Sequence, residues 1–419
     1  MQKPAEIAGP GGQPDSSAAL SPFLIGWVVY LVSATVLAIV IWIPSGLTTR
    51  MDFRDMYVGG YLLRTDPAHL YDLARQKQLE DSFFGPRFGV IAFAHLAPEA
   101  VLCAPFSMLS YNNAYVCMLI FNVLIMGACF FAARDAFSKI FMPWQPRPGF
   151  AIFVYIPIFI AIAHGQDSLL LLLFFCLAWR QLSRGHSFTA GCLAALVLLK
   201  PQLGAIAGLL LCLRFGRRFL AGFATGTAAL AVGCYLLIGS SGMAAYHAML
   251  RQLSLLDGQG EWAQEAIGVY PPTMPNLRGL FYVTIGSHLT SIQAFNAIAL
   301  VSLLILIWIA YMIRKAPQNE AFALAILTAV FLSYYLQRSE LAILMLPIVL
   351  LAPLPERSIS WIVAVLYVLP ILCLFFSPGN ELTLLYLLSL PIFAAMIFAA
   401  TRRNVPERLG TGELNGLAS

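Results

Sequence analysis

Asp52 and Asp55 stand three residues apart in the stretch MDFRDMYVGGYLLRTDPAHLYD, which begins soon after the first long apolar run. A carboxylate near apolar walls has its pKa raised toward neutrality. It can serve as a general base once it lies within hydrogen-bond reach of the proton it takes. Spaced i, i+3, the two acids can share one face of a short helix. They can equally be solvated loop acids paired with Arg50 or Arg54. Further on, Gln166 sits in a Gly-Gln-Asp turn between two short apolar segments. Polar side chains at membrane depth default to function, although a tight turn with a helix-starting Asp-Ser pair explains the same residues. Lys200-Pro201 interrupts the apolar stretch 190–213. A lysine there can neutralise a phosphate, and the proline break frees backbone groups beside it. The plainer reading is a lysine that snorkels to the surface.

Arg278, in MPNLRGL, has the fork geometry for bidentate phosphate binding, or it anchors a lipid headgroup. Arg338 and Glu340, in LQRSE, neutralise each other or, placed beside Asp52, complete a charged cavity. His95 and Glu99, spaced i, i+4, form a pair of a kind that is structural about as often as functional. The segment 239–290 adds Asp257, Glu261, Glu265, Trp262 and Tyr270. Its aromatics read as interface-belt residues rather than sugar-stacking platforms.

The elements that must position these groups are set by composition. The chain has 419 residues, 60% hydrophobic and 11% charged, where soluble domains carry about 25% charged residues. Apolar blocks recur from end to end, so the fold class expected is all-α, a polytopic membrane protein. Residues 1–20 read as a loose Gly/Pro/Ser tail, 21–403 as one membrane domain and 404–419 as a polar tail. A spanning helix needs about 20 apolar residues, and the runs, among them 22–42, 113–133, 219–238, 294–312 and 382–400, suggest about twelve spans. Segment 89–108 is apolar but carries His95, Pro98, Glu99 and Pro105. If it is re-entrant, the clusters around Arg134, Arg180, Arg214, Arg314, Arg357 and Arg402 all fall on the cytoplasmic side, as the positive-inside rule requires. Both termini are then cytoplasmic. The large first loop, the Gly-Gln-Asp turn, Lys200, Arg278 and Arg338 gather on the outer face.

The eight cysteines lie in apolar runs without a CxxC pair, which points to neither a disulfide frame nor a zinc site. No phosphate-binding glycine loop, HExxH, GxSxG or nucleic-acid signature is present.

Taken in order, DFRDMYVGGYLLRTDPAHLYD, GQDSLLLLLFFCLA, AGCLAALVLLKPQ and MPNLRGL resemble glycosyltransferase family 87. That resemblance implies a GT-C-like fold and a polyprenyl-phosphate sugar donor, typically mannosyl. It implies a glycan or glycolipid acceptor and a bacterial inner membrane, with the active site on the extracytoplasmic face. It matches Asp52 to the family's first-loop aspartate, the catalytic base. It matches Gln166 and Lys200 to family motifs and places Glu340 where the family usually has Asp. Together with Asp55, and with Arg278 and Arg338 as cations for the leaving phosphate, these are the expected substrate-binding residues. It implies no cofactor and no obligatory metal. A competing reading is a lipid or polysaccharide flippase, which would spread ionisable groups through the midplane and on both faces. A third is a structural membrane subunit.

Overall fold

The computed structural model describes residues 16–44, 52–86, 90–140, 155–253, 271, 274–285, 288–375 and 384–401. Among them the regular elements are helical, with no strand. Asp257, Glu261, Trp262, Glu265 and Tyr270 lie outside the described residues. The first helix begins at Ser16, inside the stretch expected to be a tail, and continues from Ser16–Leu37 into a π-turn, Ala38–Trp42.

Three described helices are long and apolar enough to cross a bilayer: Tyr111–Ala132, Pro201–Gln252 and Ile292–Lys315. Twelve spans are more than the described helices bear out. The other apolar helices are shorter: Ser168–Ser183 has 16 residues and Gln318–Leu332 has 15. At 1.5 Å per residue these reach about 24 Å, short of a hydrocarbon core of about 30 Å. Gln318–Leu332 is buried from Glu320 to Leu332. Its all-round apolar character answers to protein neighbours on every side rather than to lipid. Ile292–Lys315, by contrast, leaves Leu300, Leu303, Leu304 and Ile307 exposed, as a lipid-facing helix does.

Pro201–Gln252 is bent twice. Gly216 (φ 75°, ψ −161°) and Gly239 (φ 64°, ψ −172°) leave the helical region, which only glycine does at low cost. Its first residue, Pro201, has no N–H to lose at a helix start. The apolar stretch 190–213 is therefore split, as Lys200-Pro201 suggests: a helix Ser187–Ala195, a 3₁₀ turn Leu196–Leu199, then the Pro201 helix.

The first loop forms a helix, Phe53–Thr65, and a second, Leu73–Phe84, capped by Asp72, whose carboxylate accepts from the Arg75 N–H at 3.1 Å. Gly60 lets the loop helix rest directly on backbone. A Cβ there would stand 2.6 Å from the Cys103 carbonyl. Segment 89–108 is not one helix. Residues 91–96 are irregular, Ala97–Cys103 is a short helix and Phe106–Met108 a 3₁₀ turn.

Candidate active site

The site is assembled from four chain segments: the start of the loop helix, the wall 91–99, the turn 164–167 and the break at Lys200, closed by residues 334–340.

The wall 91–96 makes no regular ladder, so its backbone groups are satisfied by side chains. The Ile91 N–H donates to Glu80 Oε1 at 3.1 Å and the Phe93 N–H to Gln76 Oε1 at 2.9 Å. The Ala94 and His95 carbonyls accept from the hydroxyls of Tyr246 (3.3 Å) and Tyr71 (2.9 Å). Gln76 and Glu80, one helical turn apart on Leu73–Phe84, are both buried. Burial pushes the Glu80 carboxyl up to about 8, against the opposing charge of Arg54 at 3.6 Å.

The turn 164–167 closes the helix Ile156–His164 with Gly165 in the left-handed region (φ 67°). A Cβ at Gly165 would stand 2.8 Å from Phe53 Cβ. The turn therefore packs against the residue next to Asp52. Two side chains of the spanning helix Tyr111–Ala132 hold it: Tyr115 donates to the Ala163 carbonyl at 2.7 Å and Asn122 to the Gln166 carbonyl at 3.4 Å.

Asp52 accepts a hydrogen bond from His164, Nδ1 to Oδ2 at 2.8 Å. With the carboxylate ionised, Nδ1 carries the donated proton. The two side chains are 28% and 27% exposed, so the pair is open to solvent. Burial alone would raise the Asp52 pKa. The His164 hydrogen bond and charge, with Arg338 and Arg54 behind them, outweigh it and hold the carboxyl below its ordinary value. Asp55, one turn on, is buried. Burial raises its pKa, and Asp52 adds to the rise; hydrogen bonds from His95 and the Met56 N–H do not offset it.

Beyond this pair lies a chain of charged groups. His95 Nε2 is 3.3 Å from Asp55 Oδ2, and His95 Nδ1 is 3.0 Å from Glu99 Oε2. Lys200 Nζ lies 2.7 Å from Asp167 Oδ1 and 2.6 Å from Glu340 Oε1. The other oxygen of Glu340 accepts from the Gln337 N–H at 2.6 Å. Of these groups, Asp55, His95, Lys200 and Gln337 border a cavity of about 410 Å³, with Glu99, Asp167 and Glu340 behind them. Asp55, His95, Gln166, Lys200 and Gln337 give it polar walls, and Ile91, Leu199, Leu250, Leu253 and Phe295 apolar ones.

Of the residues expected from sequence, Asp55, Gln166 and Lys200 line the cavity and Glu340 stands behind Lys200. Asp52 does not line the cavity but lies one helical turn from Asp55, where the charge of exposed Arg338 reaches it. Arg278 does not line the cavity. It is buried under Tyr334, 3.9 Å from the ring centroid, and donates to the Tyr334 carbonyl at 2.9 Å. It supports a wall residue. Lys200 is already compensated by two carboxylates, so it is not an uncommitted cation awaiting a phosphate. Asp167 belongs to the Gly-Gln-Asp turn marked by the sequence, whereas His164, Tyr335 and Gln337 are site residues that sequence reasoning did not single out. The signal for His164 was its place just before Gly165-Gln166.

The arrangement offers a hydrogen-bonded, part-exposed carboxylate one helical turn from Asp55, which lines a pocket with both polar and apolar walls. The model of glycosyltransferase family 87 matches residues 98–336. The match takes in His164, Gln166, Asp167, Lys200 and Arg278, while Asp52 and Asp55 precede it and Arg338 and Glu340 follow it. No curated protein and no solved structure matches the chain. The family model covers more than half of the sequence and contains the turn and the lysine break that build the site, so the chain belongs to glycosyltransferase family 87.

Proposed function

We propose that this glycosyltransferase takes a sugar, mannose by family resemblance, from a polyprenyl-phosphate donor and places it on an acceptor hydroxyl of a glycan or glycolipid. The reaction occurs on the extracytoplasmic side of a bacterial inner membrane. The observation that carries the reading is the part-exposed Asp52–His164 pair, one helical turn from Asp55, which lines a pocket walled by both polar and apolar side chains. A donor with a prenyl tail and a sugar-phosphate head needs both.

In the mechanism, Asp52 takes the proton from the acceptor hydroxyl as that oxygen bonds to the anomeric carbon. The bond from that carbon to the phosphate oxygen breaks, and its electron pair leaves with the prenyl phosphate. One displacement inverts the anomeric centre. The proton then passes from Asp52 to water. His164 holds the carboxylate in one orientation, and its charge favours the ionised base. Arg338 is the exposed guanidinium nearest in effect to Asp52 and meets the charge developing on the departing phosphate. Lys200 fixes the turn 164–167 to the segment 337–340 through Asp167 and Glu340.

The test is a transfer assay with the purified full chain. It compares polyprenyl-phosphate mannose, polyprenyl-phosphate glucose and nucleotide-linked mannose as donors, with the anomeric configuration of the product read by NMR. Transfer from a prenyl-phosphate sugar with inversion is expected. Transfer from the nucleotide sugar alone, or retention, would overturn the reading.

A further inference from the structure

We propose that His95, Glu99 and Asp167 form a binding site for one divalent transition-metal cation, behind the cavity wall to which His95 belongs. One ligand atom from each, an imidazole nitrogen and two carboxylate oxygens, can be chosen so that all lie within 4.8 Å of one another. His95 Nδ1 is 3.0 Å from Glu99 Oε2 and 4.0 Å from Asp167 Oδ2. Nitrogen and oxygen ligands about 2.1 Å from a shared ion stand about 3–4 Å apart, so both spacings suit a common centre.

The surroundings fit as well as the ligands. A metal-binding histidine ordinarily gives its second ring nitrogen to a carboxylate, which fixes the tautomer and the ring plane. Asp55 Oδ2 stands 3.3 Å from His95 Nε2 in that position. The Asp167 oxygen not directed at His95 is held by Lys200 at 2.7 Å. Glu99 Oε1, on a residue 1% exposed, receives no hydrogen bond from a neighbouring donor. A buried carboxylate oxygen left so is costly unless something occupies it. The charge points the same way. Asp55, Glu99, Asp167 and Glu340 bring four carboxyl groups into one contact network, and the salt bridges to it come from Lys200 and His95. A divalent cation can be taken up there in exchange for any protons the carboxyl groups hold. The mixed nitrogen and oxygen set favours Mn²⁺, Fe²⁺ or Zn²⁺ over Ca²⁺ or Mg²⁺, which take oxygen ligands.

The test reads binding, so its outcome stands apart from whether the chain transfers sugar. The full chain in nanodiscs is stripped with EDTA and titrated with Mn²⁺ by EPR and with Zn²⁺ by calorimetry, and thermal unfolding is followed at each step. One ion per chain and a raised Tm are expected. His95→Ala and Glu99→Gln should abolish the binding, and Asp55→Asn should weaken it about 10–100-fold. His247→Ala, at an exposed histidine, should leave it unchanged. If the wild-type chain takes up neither ion at one per chain, the site does not exist and the carboxyl groups hold protons instead. The same conclusion follows if uptake persists undiminished in folded Glu99→Gln.

Discussion

His164 reaches Asp52 across 112 positions of sequence, and its Nδ1 lies 2.8 Å from the carboxylate. The contact depends on Gly165, whose left-handed turn brings the end of one helix against the first residues of the loop helix.

Removing the imidazole should move the acid limb of the reaction. Burial raises the Asp52 pKa, and the His164 hydrogen bond and charge are the largest of the effects that lower it below 3.8. With His164 intact, the acid limb of kcat/KM should lie below the ordinary aspartate range. In His164→Ala, burial has less opposing it, and the limb shifts to higher pH. The stability effect has a defined sign. A carboxyl with a depressed folded-state pKa contributes stability above its unfolded pKa and loses it as pH falls through the folded value. The Tm deficit of His164→Ala should therefore be full at neutral pH and should close in acid. Rate–pH profiles and melts at matched pH values check both.

Gly165→Ala should lower rate and stability together. It combines a left-handed backbone, costly to alanine by about 1–2 kcal/mol, with a Cβ driven to 2.8 Å from Phe53 Cβ. Gly185 has the same kind of backbone (φ 81°), but a Cβ added there would meet nothing within 4 Å. Gly185→Ala should therefore cost stability alone. Equal losses of transfer rate in the two variants would separate the turn from the chemistry.

Lys200→Met should destabilise the fold by about 3–5 kcal/mol, because it leaves Asp167 and Glu340 buried beside each other's charge with their shared cation gone. Adding Glu340→Gln removes one of those charges and should recover part of the loss. Chemical unfolding in detergent measures both. A Lys200→Met chain as stable as wild type would contradict the ion pairs at 2.7 and 2.6 Å.

Gln76→Leu should loosen the cavity wall. It strips a partner from the Phe93 N–H and from the Leu70 carbonyl at once, at about 1–3 kcal/mol for each buried group left unsatisfied. Hydrogen exchange at residues 91–96 should rise while exchange in the helix Tyr111–Ala132 stays slow.

Much of this site is legible in the residues. The Lys200-Pro201 break, the Gly-Gln-Asp turn and the early pair Asp52 and Asp55 all mark places where polar chemistry interrupts apolar chain, and the fold gathers them. What the string of residues hides is pairing. Nothing near Lys200 reveals that Asp167 and Glu340 already neutralise it, so a lysine that looks ready for phosphate turns out to be a tie between segments. Nothing near Asp52 names His164. The count of twelve spans is not confirmed among the described residues for a related reason: Gln318–Leu332 is apolar on all sides because protein surrounds it, and hydropathy cannot tell a protein environment from lipid. The irregular wall 91–96 is invisible too, since its backbone partners are Gln76, Glu80, Tyr71 and Tyr246, none of them adjacent in sequence.

The central claim is that the Asp52 carboxylate accepts the acceptor's proton. The most direct measurement is the initial rate of sugar transfer from a prenyl-phosphate donor by wild type and by Asp52→Asn, each shown to be folded by its melting curve. Asparagine keeps the shape and cannot take the proton, so a loss of about 10²–10⁴-fold in kcat is predicted. A folded Asp52→Asn chain that transfers at the wild-type rate would contradict the account.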